Sequence, residues 1–198
     1  MSPISDRIRD ELVRAYTAPD RHYHNLAHIE AMLELMRAHE HALADPASVE
    51  AAIWFHDAVY DTRRHDNEQK SAELAAERLA GQLNASRLGL VVTMIQATAG
   101  HRLPDLSNEG ARNDCALFLD MDLAILGSAP DEFAAYEAAV RREHGWLSDA
   151  LWIEGRRKVL QAFLARPAIY ASPPFRASHE TAARENLTRS LERLVPPI

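Results

Sequence analysis

The chain has one cysteine, seven glycines and only 7% aromatic residues among its 198 residues. No apolar run approaches the length a membrane-crossing helix needs. Each scarcity excludes something. A lone Cys115 cannot close an intrachain disulfide, which fits a reducing compartment. So few glycines leave little punctuation for a many-stranded sheet. The opening "MSPISDRIRDELVRAY" is acidic and amphipathic and carries no apolar signal core, so the expected location is cytoplasmic. Basic residues are outnumbered, 22 Lys and Arg against 29 Asp and Glu, for a formal charge of -7. An acidic surface suits neither a nucleic-acid polymer nor an anionic membrane. A local group of arginines can still hold a small phosphorylated molecule.

What is present is an ordinary globular composition, 47% hydrophobic and 26% charged, long enough for one domain over residues 1–198 with its own core. Disorder is expected only at the very ends, such as the Pro196-Pro197 tail. Apolar residues recur at the helical period almost throughout, which predicts an all-α, single-domain bundle. Ser5 or Asp6 caps a first helix carrying Ile8, Leu12 and Val13. A second spans about 25–41. Asp45-Pro46 breaks the chain, and "ASVEAAIWFHDAVYD" follows as a third. "DNEQKSAELAAERLAGQL" is rich in helix formers, with Asp66 or Asn67 as cap and Gly81 near its end. "SRLGLVVTMIQATAG" fits a strand or a helix by periodicity, and its length favours helix. A loop over 100–110 precedes "ARNDCALFLDMDLAILG", apolar almost all round and so expected as a central helix to residue 127. Helices over 131–143, 148–164 and 177–194 complete the set, with Pro167, Pro173 and Pro174 marking an irregular connector before the last.

Charge interrupts the apolar pattern in two places. His56 follows Ile53 by three and Val49 by seven, so it faces inward, with Asp57 beside it. Asp120 and Asp122 interrupt "LFLDMDLAIL", and Asp122 falls among core-facing positions. "RHYHNLAHIEAML" adds His24 and His28, one turn apart on a helix. A buried carboxylate without compensation costs several kcal/mol at least or takes up a proton. A divalent cation compensates all of these groups at once. His28, His56, Asp57 and Asp122 offer two imidazoles and two carboxylates, a donor set suited to Mn²⁺, Mg²⁺, Fe²⁺, Co²⁺ or Zn²⁺. Asp120 is the alternative last ligand.

His28, the His56-Asp57 pair and Asp122 resemble the H…HD…D pattern of the HD superfamily of metal-dependent phosphohydrolases. The longer strings "RHYHNLAHI", "WFHDAVYD", "DNEQKSA", "FLDMDLAILG" and "EGRRKVLQAFLARPAIY" are similar to a bacterial branch of that superfamily over most of the chain. The resemblance implies an all-helical HD fold and hydrolysis of a phosphoester or phosphoanhydride by metal-bound water. The substrate implied is a small phosphorylated metabolite, a nucleotide for preference.

"YHNLAH" is similar to a segment of the cyclic nucleotide phosphodiesterases, which implies that His28 binds metal and His24 protonates the leaving oxygen. A histidine one turn from a ligand also has a pKa suited to that task. "HDAVYDT" resembles a segment of the Rel/SpoT hydrolases of (p)ppGpp and makes Asp61, one helical turn after Asp57, the candidate general base. Tyr60 stands where those hydrolases carry glutamate and the phosphodiesterases a further histidine, which argues against both substrates and against a two-metal site. Glu68 either orients groups at the metal or complements a helix N-terminus. His101 either contacts substrate phosphate or a second metal, or is a surface loop residue. Arg142 stands for the arginines that could pair with phosphate, beside Arg141, Arg156 and Arg157. Arg184 and Asn186 in "ARENL" carry no chemistry that fixes a role. Two other readings remain: a metal- or nucleotide-binding regulatory module with little turnover, and a di-iron oxygenase, which wants more histidine ligands than the sequence supplies. A homo-oligomer is compatible with the composition.

Overall fold

The computed structural model describes residues 2–194, and the Pro196-Pro197 tail lies outside them. The protein is all-α. Among the described residues the α-helices are α1 (Asp6–Tyr16), α2 (Leu26–Ala38), α3 (Pro46–Phe55), α4 (Asn67–Arg78), α5 (Ala85–Ala97), α6 (Glu109–Asp122), α7 (Pro130–Glu143), α8 (Asp149–Leu164) and α9 (Pro173–Arg193), with short 3₁₀ turns at Glu40–Ala42 and Ala124–Gly127. Among the described residues no strand forms; a lone bridge joins Ala80 and Leu83. None of the described helices is long and apolar enough to cross a membrane. The ambiguous run at 86–100 is helical. The chain divides into two compact units, Met1–Met121 and Asp122–Ile198, the boundary falling at the last residue of α6.

Caps start α1, α2 and α3 where the sequence places them. Ser5 accepts the Ile8 N–H, Asn25 accepts the N–H groups of Ala27 and His28, and Asp45 accepts that of Ser48 with Pro46 in the first turn. Asp66 stands at the α4 N-cap position without capping, because Arg64 holds both of its carboxylate oxygens at 2.9 and 2.7 Å. That guanidinium keeps the Asp66 carboxyl below its ordinary range.

The core of the first unit draws Ile8, Leu12 and Tyr16 from α1, Ile29 and Met32 from α2, and Val91, Met94 and Ile95 from α5. Each such large apolar side chain contributes about 1.5–3 kcal/mol by leaving water. Two helices run through the interior. α3 is buried from Val49 to Phe55 apart from half-exposed Glu50, and α6 is buried from Asp114 to Met121. Buried Asp114 accepts the N–H groups of Ala44 and Asp45, both at 2.8 Å, and so fixes the entry to α3.

Helix ends depart from the periodic pattern, for tertiary reasons. α3 stops at Phe55 rather than continuing through Asp61. The Arg21 guanidinium takes the carbonyls of Asp57 and Ala58, and Ser71 on α4 brackets Val59 by accepting its N–H and donating to its C=O. These groups would otherwise continue the α-helical ladder. The helix expected to reach residue 127 ends at Asp122 and passes into the 3₁₀ turn. There Tyr170 Oη donates to the Leu123 carbonyl, and Asn186 Nδ2 donates to those of Leu126 and Ser128. Gly127 seats the turn, since a Cβ there would stand 2.7 Å from His179 Cβ.

The second unit buries Leu126, Phe133, Leu160, Tyr170, Phe175 and Leu187. Pro173 and Pro174 belong to the first turn of α9 rather than to the connector before it, because a helix's first turn has no use for the missing N–H. Arg184 holds that connector through the carbonyls of Leu164 and Arg166 while pairing with Glu180, so Arg184, like Asn186, has a structural task. Arg156 is buried against Tyr136 Oη and Glu137. Burial opposes its charge, and Tyr136 and Glu137 more than offset that, raising its pKa above the ordinary value. Arg141 ties the end of α7 to Asp149.

Candidate metal centre

His28 enters from the first turn of α2, whose start Asn25 fixes by capping. His56 is the C-cap of α3, and its ring Nδ1 lies 2.9 Å from the Ile53 carbonyl oxygen. A carbonyl only accepts, so Nδ1 carries a hydrogen, and in the neutral ring Nε2 presents a lone pair. That Nε2 stands 3.3 Å from His28 Nε2 and 3.0 Å from Asp57 Oδ2. Asp122 ends α6, and one of its oxygens lies within 4.8 Å of a ring nitrogen of each histidine. His28 and His56 are buried and Asp122 is half-buried.

The donor chemistry fits a divalent cation. A lone pair on His56 Nε2 and the Asp57 carboxylate are both acceptors. They share 3.0 Å favourably only across a positive charge, either a proton on Nε2 or a metal ion. The Ile53 carbonyl behind His56 is the outer partner that ligating histidines typically have, fixing ring and tautomer together.

No protein-family model, curated protein or solved structure matches this chain.

The other sequence-derived candidates divide by position. His24 lies in the loop before α2. Its ring is 4.3 Å from that of Tyr60, 5.0 Å from Tyr23 and 6.3 Å from His28, centroid to centroid. Asp61 is exposed beyond the end of α3, so it is not one helical turn from Asp57 as the longer helix implied. Asn67 brackets its backbone, accepting its N–H and donating to its C=O, and the Asp61 carboxylate accepts the Arg63 N–H at 2.9 Å. Glu68 is in the first turn of α4, half-buried. Asp120 is buried on α6 at 1% exposure, and Asp122 is the α6 carboxylate grouped with the two histidines. His101 follows α5 in the left-handed region, φ 44°, which histidine enters more readily than most residues. Arg142 is exposed on α7 in the second unit.

Three residues around the centre make contacts that the sequence reading did not foresee. Arg21 joins the His24 carbonyl to those of Asp57 and Ala58. Tyr60 stacks on His24. Asp114 clamps the start of α3. Only Asp114 left a readable trace: Asp114, Phe118 and Asp122 are spaced i, i+4, i+8 and share one face of α6, and the Phe118 ring lies 6.0 Å from that of His56.

Proposed function

We propose that this protein is a metal-dependent phosphohydrolase acting on a phosphoester or phosphoanhydride of a small phosphorylated metabolite, a nucleotide for preference. The observation that carries the reading is the convergence of His28, His56 and Asp122 donor atoms within 4.8 Å, with Asp57 Oδ2 3.0 Å from His56 Nε2. His28, His56, Asp57 and Asp122 are the proposed ligands. A divalent ion held by this set supplies Lewis-acid polarisation of a phosphoryl oxygen and acidifies water at neutral pH.

The chain's own groups have proton-handling parts in this proposal. Asp61 accepts the proton of the attacking water, and His24 gives one to the leaving oxygen. The rings of Tyr23 and Tyr60 beside His24 limit its rotation. Glu68 orients groups around the ion, while His101 is assigned to substrate phosphate. The acidic charge of the chain supports a small substrate over a nucleic-acid polymer, and a cytoplasmic location accompanies the single buried thiol.

A binding module with little turnover keeps the same ligands and dispenses with Asp61. The Arg63 N–H bond favours it to one extent: that bond gives Asp61 a turn-forming task whether or not it handles a proton. Elemental analysis, with a phosphomonoester, phosphodiester and nucleotide panel under Mn²⁺, Mg²⁺, Co²⁺ and Zn²⁺, tests the choice. Metal near one per chain with turnover supports the hydrolase. Metal without turnover supports the module.

A further inference from the structure

Arg21 makes more connections near the centre than any role so far given requires. Its Nη1 donates to the carbonyls of His24, at 3.0 Å, and Asp57, at 2.7 Å, and its Nη2 donates to that of Ala58, at 3.0 Å. The guanidinium also lies against two rings, 4.9 Å from the centroid of Tyr16 and 5.4 Å from that of Tyr60. Tyr16 is itself fully buried, and its hydroxyl donates to the Trp54 carbonyl on α3.

These contacts fall on two stretches far apart in sequence. One is the loop that leads into the Asn25 cap and sets where α2, and so His28, begins. The other is the turn just past α3, where His56 and Asp57 sit and the Asp57 and Ala58 carbonyls lie beyond the last helical residue, Phe55. The carbonyl end of a helix favours a cation, and a planar fork can serve acceptors on both stretches at once.

We propose that Arg21 is the positioning residue of the centre: by stitching the His24 carbonyl to those of Asp57 and Ala58 it sets the approach of His28 to the His56-Asp57 pair. The role rests on the metal reading above. Arg21 touches neither ion nor substrate; it fixes the frame in which two imidazoles stand 3.3 Å apart. Lysine keeps the charge but concentrates it in one ammonium, which cannot hold both stretches with the same geometry.

The test is Co²⁺ titration of the full chain, wild type against Arg21→Lys, read by the visible cobalt bands, with elemental analysis, circular dichroism and a thermal melt. Arg21→Lys is expected to keep the helical spectrum, bind Co²⁺ about 10–100-fold more weakly and shift the bands. Arg78→Lys is the comparator. It alters the Arg78–Glu11 pair between α1 and α4, and is expected to affect the melt while leaving Co²⁺ affinity and bands at wild-type values. Wild-type affinity and band positions in Arg21→Lys overturn the proposal, even with a lowered Tm. If Arg21→Lys does not fold, Tyr60→Leu uncovers one face of the guanidinium and must weaken Co²⁺ binding; unchanged affinity there overturns the proposal too. A wild type that takes up no Co²⁺ overturns the metal reading itself, and Arg21's role with it.

Discussion

His28 and His56 face each other through their Nε2 atoms at 3.3 Å, although 28 residues separate them in the chain. With the His56 hydrogen committed to the Ile53 carbonyl, ring nitrogens of both histidines and an Asp122 oxygen lie within 4.8 Å of one another, and Asp57 Oδ2 stands 3.0 Å from His56 Nε2. Removing His56 or Asp122 should therefore empty the centre. We expect His56→Ala and Asp122→Ala to lower the metal content of purified protein well below wild type, and Asp120→Asn to leave it largely intact. Equal loss in Asp120→Asn and Asp122→Ala would reassign the α6 ligand. Plasma emission spectrometry on matched preparations makes the comparison.

Asp61→Asn separates base from ligand. The amide oxygen can still accept the Arg63 N–H, so the turn is expected to survive. A lost general base costs about 10²–10⁴-fold in rate. We expect near-normal metal content and folding with kcat reduced in that range. Normal turnover would leave Asp61 a turn residue; loss of metal would make it a ligand and move the search for the base to Glu68.

Asp114 holds the start of the helix that ends in His56. Its carboxylate receives two main-chain N–H groups from full burial. Asp114→Ala leaves both donors without that partner, and hydrogen bonds to a charged group are each worth about 1.5–3 kcal/mol. Urea unfolding should show a loss of a few kcal/mol, and Asp114→Asn, which keeps one good acceptor, a smaller one.

Cys115 gives the pH-dependent expectation. Burial, with the neighbouring Asp114 charge, pushes its thiol up to about 12. The folded protein holds this proton where an unfolded thiol has released it. Stability is therefore unaffected by this group below the ordinary thiol range near 9 and falls as pH rises from there toward 12. At pH 8 the native chain should not react with a thiol reagent, while denatured chain should release one equivalent. Rapid native labelling would contradict the burial.

The helical class and most helix starts were legible because caps and 3.6-residue spacing are local. Ser5, Asn25 and Ser148 cap their own following turns. The ends were less legible. α3 and α6 stop where Arg21, Ser71, Tyr170 and Asn186 take up main-chain groups from a distance, and no local pattern announces such a partner. At the centre, inward-facing charge on apolar helices pointed to His56 and Asp122. Arg21 did not stand out because its work is done on carbonyls, which every residue has. Asp61 was expected on a helix that its neighbours had already ended.

The single face of α6 that carries Asp114, Phe118 and Asp122 makes that helix a measuring rod. One end is pinned at the entry to α3, and about 12 Å further on the other presents a carboxylate to the residue that closes α3. Side-chain identity is only half of what such a rod must conserve; its length is the other half. One residue inserted between Asp114 and Asp122 would turn the far carboxylate by about 100° and advance it by about 1.5 Å while the near clamp stayed seated. The same insertion in the loop before α6 would leave the interval between those two aspartates untouched. Tolerance to changes in chain length should therefore drop abruptly at Asp114 and stay low to the end of the helix.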